Sequence, residues 1–327
     1  MTAIFSRDFL RSYVITMRPY LLFLSGITGI LGLALGPAIS AGSALMVGSA
    51  FFLSYGFGQA LTDCFQLDTD SLSAPYRPLV QGRLSRRQVL AVSLAGLLLC
   101  GVILMQLHLL NALPAALSVL GLATYTHFKR RWWGGPFYNA WIVALLVIMG
   151  YLAAVGAGAA PGARRMPSLW PPGLTGGLIV AFFGYANFVL TGYYKDVSAD
   201  RATGYRTLVV TFGLKPSAIV SDGFAILALA GVLVAGLPRL AGLEWPVLPA
   251  VALVSAGTVA ATVAQVRLHR VRHETDAHFA IVPVVHAYVL WLAGLSLFYR
   301  PTWAPGLLAF YAAFALSLAR RPEKEQV

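Results

Sequence analysis

Gly173-Leu-Thr-Gly-Gly-Leu-Ile-Val-Ala-Phe-Phe-Gly-Tyr-Ala-Asn-Phe-Val-Leu-Thr-Gly-Tyr193 runs without a single charge into Tyr194-Lys195-Asp196-Val-Ser-Ala-Asp200-Arg201. An uncharged run of this length matches the roughly 20 helical residues that cross bilayer hydrocarbon. The ions behind it belong at the membrane edge. The same arrangement occurs earlier, where Gly42 to Thr62 leads into Asp63-Cys-Phe-Gln-Leu-Asp68-Thr-Asp70. These two acidic stretches hold five of the chain's twelve carboxylates.

Outward from these stretches the pattern repeats. The 327 residues are 58% hydrophobic and 11% charged, more apolar surface than a water-soluble core of this size would bury. Apolar runs recur at about Tyr20 to Ser40, Gly42 to Thr62, Gln88 to Leu107, Leu109 to Thr126, Phe137 to Val155, Gly173 to Tyr193, Ser217 to Leu237, Val247 to Gln265, Phe279 to Tyr299 and Trp303 to Ala319. The expected fold is all-α: a polytopic membrane helical bundle of nine or ten transmembrane helices around a central cavity. It forms a single domain over 1–327, with motif loops at about 59–87 and 194–216.

A net charge of +12 would suit nucleic acid, but its placement points to a lipid bilayer and no nucleic acid. All 24 Lys and Arg except Arg164, Arg165, Arg239 and Arg300 fall in the N-terminal segment, alternate loops and the C-terminal tail, the positive-inside signature. This orients both acidic stretches toward the cytoplasm of a multi-pass cell-membrane protein. A basic tail on the inner face requires an even number of crossings, which ten spans satisfy. Cys64 and Cys100 are the only cysteines and suggest no disulfide. The basic-then-apolar N-terminal segment reads as a retained first helix, because its apolar part is long and lacks a small-residue cleavage pattern.

Helical spacing selects which acids converge, since residues three or four apart share a face. Gln59, Asp63, Gln66 and Asp70 form one stripe, and Asp68 is rotated off it unless the helix ends or kinks. Asp196 and Asp200 share a face if the sixth span continues through them. Clustered carboxylates at the membrane edge repel one another unless a cation lies between them. Oxygen ligands without His or Cys spacing favour Mg2+ over zinc. Arg77, Arg83, Lys129, Arg130, Lys195 and Arg201 lie on the same face and could bind a diphosphate beside such an ion. Arg86, Arg87, Arg270 and Arg272 read as headgroup anchors. His108 and Asn111 read as solvated turn residues, Asp222 as a charge suited to a helix N-terminus, and His286 as a core hydrogen-bonding group. Ser85 with Gln88, and Pro216, mark helix starts.

The run Asp63, Asp68, Asp70, then Pro75-Tyr-Arg-Pro-Leu-Val-Gln-Gly82, resembles the first signature of the UbiA superfamily of intramembrane prenyltransferases. Lys195-Asp196-Val-Ser-Ala-Asp200-Arg-Ala-Thr-Gly204 resembles the second. Tyr125-Thr-His-Phe-Lys129-Arg130 with Asn139 resembles the segment joining that family's fourth and fifth helices. Gln59 stands where the family usually has Asn, Asp63 to Asp68 is one residue longer than usual, and a tenth apolar run exceeds the family's nine helices. The resemblance implies an Mg2+-dependent transferase that moves an isoprenoid chain from a prenyl diphosphate donor to a hydrophobic acceptor, in most relatives aromatic. It implies metal binding by Asp63, Asp68, Asp70, Asp196 and Asp200, with Asp63 and Asp196 catalytic. Substrate contacts fall to Gln59, Arg77, Tyr125, Lys129, Arg130, Asn139, Lys195 and Arg201. Tyr55, Tyr185, Phe188 and Tyr193 could line the cavity of such an enzyme. A terpene cyclase of the same superfamily is the alternative, and an ion-coupled transporter the third reading.

Overall fold

The computed structural model describes residues 4, 6–158, 170–240 and 247–321. Arg164, Arg165 and Lys324 of the charge count lie outside them. Within the described residues the chain forms α1 (Arg7–Met17), α2 (Leu22–Leu35), α3 (Ala41–Asp63), α4 (Leu67–Ser73), α5 (Arg86–Leu107), α6 (Ala112–Lys129) and α7 (Gly134–Ala157). Then follow α8 (Pro172–Gly192), α9 (Val197–Ala202), α10 (Leu208–Phe212), α11 (Leu214–Leu240), α12 (Leu248–Leu268), α13 (His278–Tyr299) and α14 (Ala304–Ala319). Nine described helices are long and apolar enough to cross a membrane. Counted as one span, the bent pair Arg7–Met17 and Pro19–Leu35 makes ten. The chain is a multi-pass membrane protein; the apolar runs read from the sequence are helical, except that the first, Tyr20 to Ser40, ends its helix at Leu35.

The ends of α3, α6 and α8 and the start of α7 line one cavity, Cys64 after α3 contacts Arg86 at the start of α5, and Ser198 after α8 bonds Glu274 between α12 and α13, so these ends share one face, the motif face. Ser85 caps α5 there: its hydroxyl accepts the Gln88 N–H at 3.2 Å, completing a capping box. Pro216 sits in the first turn of α11, where its missing N–H costs nothing.

The centre of the bundle is α13, buried over 89% of its membrane window, against 17% for the peripheral α14. Polar groups tie α13 inward, with Tyr288 and Thr28 of α2 sharing a hydrogen bond of 2.7 Å. Small residues let backbones touch: a Cβ on Gly32 of α2 would meet the Val147 carbonyl of α7. His286 bonds Tyr311 of α14 at 3.0 Å, the core role expected of it. Asp222 bonds His269 at 2.7 Å. Asn111 departs from expectation. It is fully buried and donates to the Leu104 carbonyl at 3.0 Å, satisfying an acceptor in the last turn of α5. Both cysteines are free and buried.

Ahead of the first span, α1 is amphipathic, burying Phe9, Tyr13 and Met17 on one stripe. Tyr13 shares a 2.8 Å hydrogen bond with Ser93 of α5. Arg18 ends α1 with φ 54°, and the chain bends 41° into Pro19–Leu35. A left-handed residue other than glycine costs about 1–3 kcal/mol, so the surroundings must hold Arg18 there.

Candidate active site

The first acidic stretch breaks where the sequence alone did not place a break. α3 ends at Asp63, Cys64–Gln66 turn, and α4 starts at Leu67. The break preserves the stripe: Gln59, Asp63, Gln66 and Asp70 line one polar cavity on the motif face. Asp63 is the most engaged. It accepts both oxygens' worth of bonds from Arg18 Nη2, at 2.9 and 3.1 Å, and one from Gln59 Nε2 at 2.7 Å. Arg77 Nη1 lies 3.8 Å away and also pairs with Asp70. The guanidinium of Arg77 thus lies between two buried carboxylates and meets both through the one nitrogen Nη1.

Asp68 does not join them. Its side chain is 41% exposed and points away, pairing with Arg130 at 2.8 Å and accepting from Tyr205 Oη at 3.1 Å. The cause is the position of Asp68 in the first turn of α4, two residues before Asp70 and so on the opposite side of that helix.

The second stretch is broken as well. α8 ends at Gly192, Tyr193–Lys195 tighten into a 3-10 turn, and Asp196 is the N-cap of α9. Asp196 therefore faces the cavity, 3.5 Å from Lys195 Nζ. Asp200 is fully buried one turn on, behind the cavity wall, with Lys129 Nζ 3.5 Å from Oδ1. Burial pushes the Asp200 carboxyl up to about 6; Lys129 offsets part of this and Asp196 adds to it. Burial by itself would raise Asp196 too, but Lys195, Lys129 and Arg77 hold it below the ordinary carboxylate range. Gly204, with φ 76°, supplies the left-handed turn after α9 that lets the Tyr205 N–H return to the Asp200 carbonyl at 2.8 Å.

The two stretches meet. Thr69 of α4 and Thr203 beside α9 share a hydrogen bond of 3.2 Å. From α6, Lys129 reaches both sides, donating to Gln66 Oε1 at 3.2 Å and pairing with Asp200. Its Nζ also lies 5.4 Å from the Tyr193 ring and 5.2 Å from that of Tyr205.

Below the ions the cavity turns apolar. A second space of about 810 Å3, counted with its mouth, lies between α3, α5, α6 and α7, walled by Phe51, Leu97, Leu104, Leu122, Ile142 and Met149. Tyr55, Gln59, Thr62, Asn139 and Tyr185 line both spaces, so the two adjoin across these five side chains. From Asp63 back to Ala50, on its wall, the rise along α3 is about 20 Å.

Of the residues singled out in the sequence, Gln59, Asp63, Asp70, Arg77, Tyr125, Lys129, Asn139, Lys195 and Asp196 line the polar cavity, together with Tyr55, Tyr185, Phe188 and Tyr193. Tyr125 and Tyr193 share a hydrogen bond of 2.8 Å. Asp68, Arg130, Asp200 and Arg201 are outside its lining, and Arg201 is exposed. Arg18 and Gln66 also line the cavity, and neither is a site residue in the sequence reading. Gln66 was visible on the stripe as an amide among acids. Arg18, 45 residues before its partner Asp63, carried no signal beyond a charge at the mouth of the first span.

The donor set fits Mg2+. All the acids are oxygen donors, and neither buried oxygen of Asp200 accepts a hydrogen bond. Among the described residues no three His, Cys, Asp or Glu side chains surround one point. An ion here would draw on one or two carboxylates and complete its shell from phosphate and water, as Mg2+ usually does.

The model of the UbiA prenyltransferase family matches residues 22–282. Similar proteins include the digeranylgeranylglyceryl phosphate synthase of Natronomonas pharaonis, 30% identical over 222 residues, 65% of this chain and 72% of that one. The enzyme of the same name from Thermococcus kodakarensis is 29% identical over 239 residues, 71% of this chain and 79% of that one. Among solved structures, a UbiA homolog from Archaeoglobus fulgidus bound to DMAPP and Mg2+ superposes with a TM-score of 0.63 at 17% identity, covering 88% of this chain and 99% of that one. The apo UbiA homolog from Aeropyrum pernix gives 0.65 at 19% identity, covering 83% and 94%. Helical architecture, paired acidic stretches and family match agree: this chain belongs to the UbiA prenyltransferase family.

Proposed function

We infer that the protein transfers an isoprenoid chain from a prenyl diphosphate to a lipid acceptor bearing a glyceryl phosphate group. The observation that carries this is an ion-lined cavity set directly against an apolar one, with Tyr55, Gln59, Thr62, Asn139 and Tyr185 lining both. A diphosphate with a long hydrocarbon tail is the class of molecule that needs both. The names of the similar synthases favour a glyceryl phosphate acceptor over the aromatic one expected from the sequence. Basic loops orient the motif face to the cytoplasm.

Asp63, Asp70 and Asp196 are the residues that would hold Mg2+, with Asp200 behind them. Bound there, the ion supplies neutralisation of the diphosphate as it leaves. Arg18, Arg77, Lys129 and Lys195 bring donors to the phosphate oxygens, and their positive charge already balances the carboxylates. The apolar wall from Phe51 to Met149 keeps water from the allylic cation formed as the C–O bond breaks. Tyr55 and Tyr185, at the junction, present rings where that cation forms.

The test is a matrix assay in membranes. Prenyl diphosphates of several lengths are supplied alone, with a glyceryl phosphate lipid or with an aromatic acceptor, and products are read by mass spectrometry. The account expects a prenylated glyceryl phosphate product, abolished by EDTA and restored by Mg2+. A cyclic terpene from donor alone, or prenylation only of the aromatic, would overturn it.

A further inference from the structure

Asp196 occupies an N-cap yet does not cap. Aspartate is favoured at that position because its carboxylate accepts the N–H of the second or third helical residue. Here Asp196 makes no side-chain cap bond, and its carboxylate stays on the cavity wall beside Lys195. The orphan donor is satisfied from elsewhere. Ser198 N–H, at the second position of α9, donates to Glu274 Oε1 at 2.8 Å, and Ser198 Oγ donates to Oε2 at 2.8 Å. Glu274 is 76 residues away in sequence, in the turn Glu274–Asp276 between α12 and α13. That turn is itself braced, since Asp276 accepts the His273 N–H at 3.3 Å and Ala277 N–H returns to the Glu274 carbonyl at 3.1 Å.

We propose that Glu274 is a positioning residue for the transfer reaction: by capping α9 in place of Asp196, it leaves the Asp196 carboxylate free to face the metal-bound diphosphate. Without Glu274 the start of α9 loses this clamp, and the Asp196 carboxylate, at the N-cap position, is drawn back toward its own helix and away from the cavity. This rests on the reading of Asp196 as a diphosphate-site ligand given above. α4 offers the contrast: no side chain caps it, but Asp70, four residues on from its N-cap Gln66, is held by Arg77. Among the described residues, Asp196 has only the flexible Lys195 within ion-pair distance to hold it in place.

The test uses full-length protein in lipid nanodiscs, with Mn2+ and inorganic pyrophosphate as probes. Mn2+ binding is read by electron paramagnetic resonance, and backbone exchange over residues 193–206 by hydrogen–deuterium mass spectrometry. Glu274→Ala should weaken pyrophosphate-dependent Mn2+ binding about tenfold, the factor expected for a lost cap of this kind. It should also speed exchange in α9 by a similar factor and lower the ligand-free Tm by no more than about 4 °C. Glu274→Gln keeps an oxygen for the Ser198 N–H and should stay within about threefold of wild type. Ser198→Ala, which removes only the hydroxyl bond, gives a second variant with an expected loss of about threefold. Unchanged Mn2+ binding in Glu274→Ala, or equal losses in the Gln and Ala variants, would overturn the proposal. If wild type itself fails to bind Mn2+ with pyrophosphate, the diphosphate reading fails instead. The exchange data still decide the clamp, because unchanged α9 exchange in Glu274→Ala contradicts it.

Discussion

The two acidic stretches share a plan and differ in what holds their carboxylates. In the first, arginines do it: Arg18 grips Asp63 with two bonds, and Arg77 bridges Asp63 and Asp70. In the second, lysines do it, each at 3.5 Å: Lys195 beside Asp196 and Lys129 beside Asp200. A guanidinium fork fixes direction, whereas an ammonium on a flexible stem can follow a moving partner. The first stretch is therefore a rigid anchor and the second an adjustable jaw. To serve as ligands, Asp63 and Asp70 would have to give up bonds to Arg18 or Arg77, whereas Asp196 and Asp200 would need only their lysines to swing aside.

The largest expected effects test whether both halves are needed at all. Asp63→Ala and Asp196→Ala should each lower turnover by about 10²–10³-fold or more while the protein remains folded in the membrane, as judged by detergent-extracted size-exclusion profile and Tm. Wild-type turnover in either would break the pairing of the two stretches. Next comes the anchor's geometry. Arg77→Lys keeps the charge and loses the fork, and should cost at least about tenfold in kcat/KM. Lys195→Arg in the jaw should cost less. Equal losses would remove the distinction between anchor and jaw.

Acidity separates the two carboxylates within the jaw. Asp196 is held below the ordinary carboxylate range and stays ionised, whereas Asp200, raised to about 6, takes up a proton as pH falls through that value. The Mg2+ concentration for half-maximal activity should therefore rise as pH drops below about 6, and Asp200→Asn should flatten that limb. The same shift has a stability consequence of opposite sign. Ionising a carboxyl whose folded value is raised destabilises the fold, so this group lowers the metal-free Tm as pH rises from about 4 through 6. The smallest effect belongs to the exposed pair: Asp68→Asn removes a partner of Arg130 in a 2.8 Å ion pair and should change kcat/KM less than about threefold. A hundredfold loss there would bring Asp68 back into the site.

The helices were legible because hydrocarbon imposes a length on every crossing, and each apolar run, down to Trp303 to Ala319, answers that length. The stripe of Gln59, Asp63, Gln66 and Asp70 was legible for a similar reason: the short turn at Cys64–Gln66 keeps α4 close to the phase of α3. Asp68 and Asp200 were read as metal ligands from their place in family-like motifs. Motif membership does not say which way a first-turn residue faces, and that depends on breaks at Cys64 and Gly192 with no glycine–proline signal strong enough to place them. Arg18 and Glu274 were out of reach. Both act across a fold, on Asp63 and on Ser198, and nothing local in either neighbourhood announces the partner.

The most direct measurement is a structure of the protein in lipid with Mn2+ and a non-reactive prenyl thiodiphosphate, the metal located by anomalous scattering. The account predicts metal density between the Asp63–Asp70 side and Asp196, with the prenyl tail running past Tyr55 and Tyr185 into the apolar space. Metal and thiodiphosphate bound to one stretch alone, or elsewhere in the bundle, would contradict it.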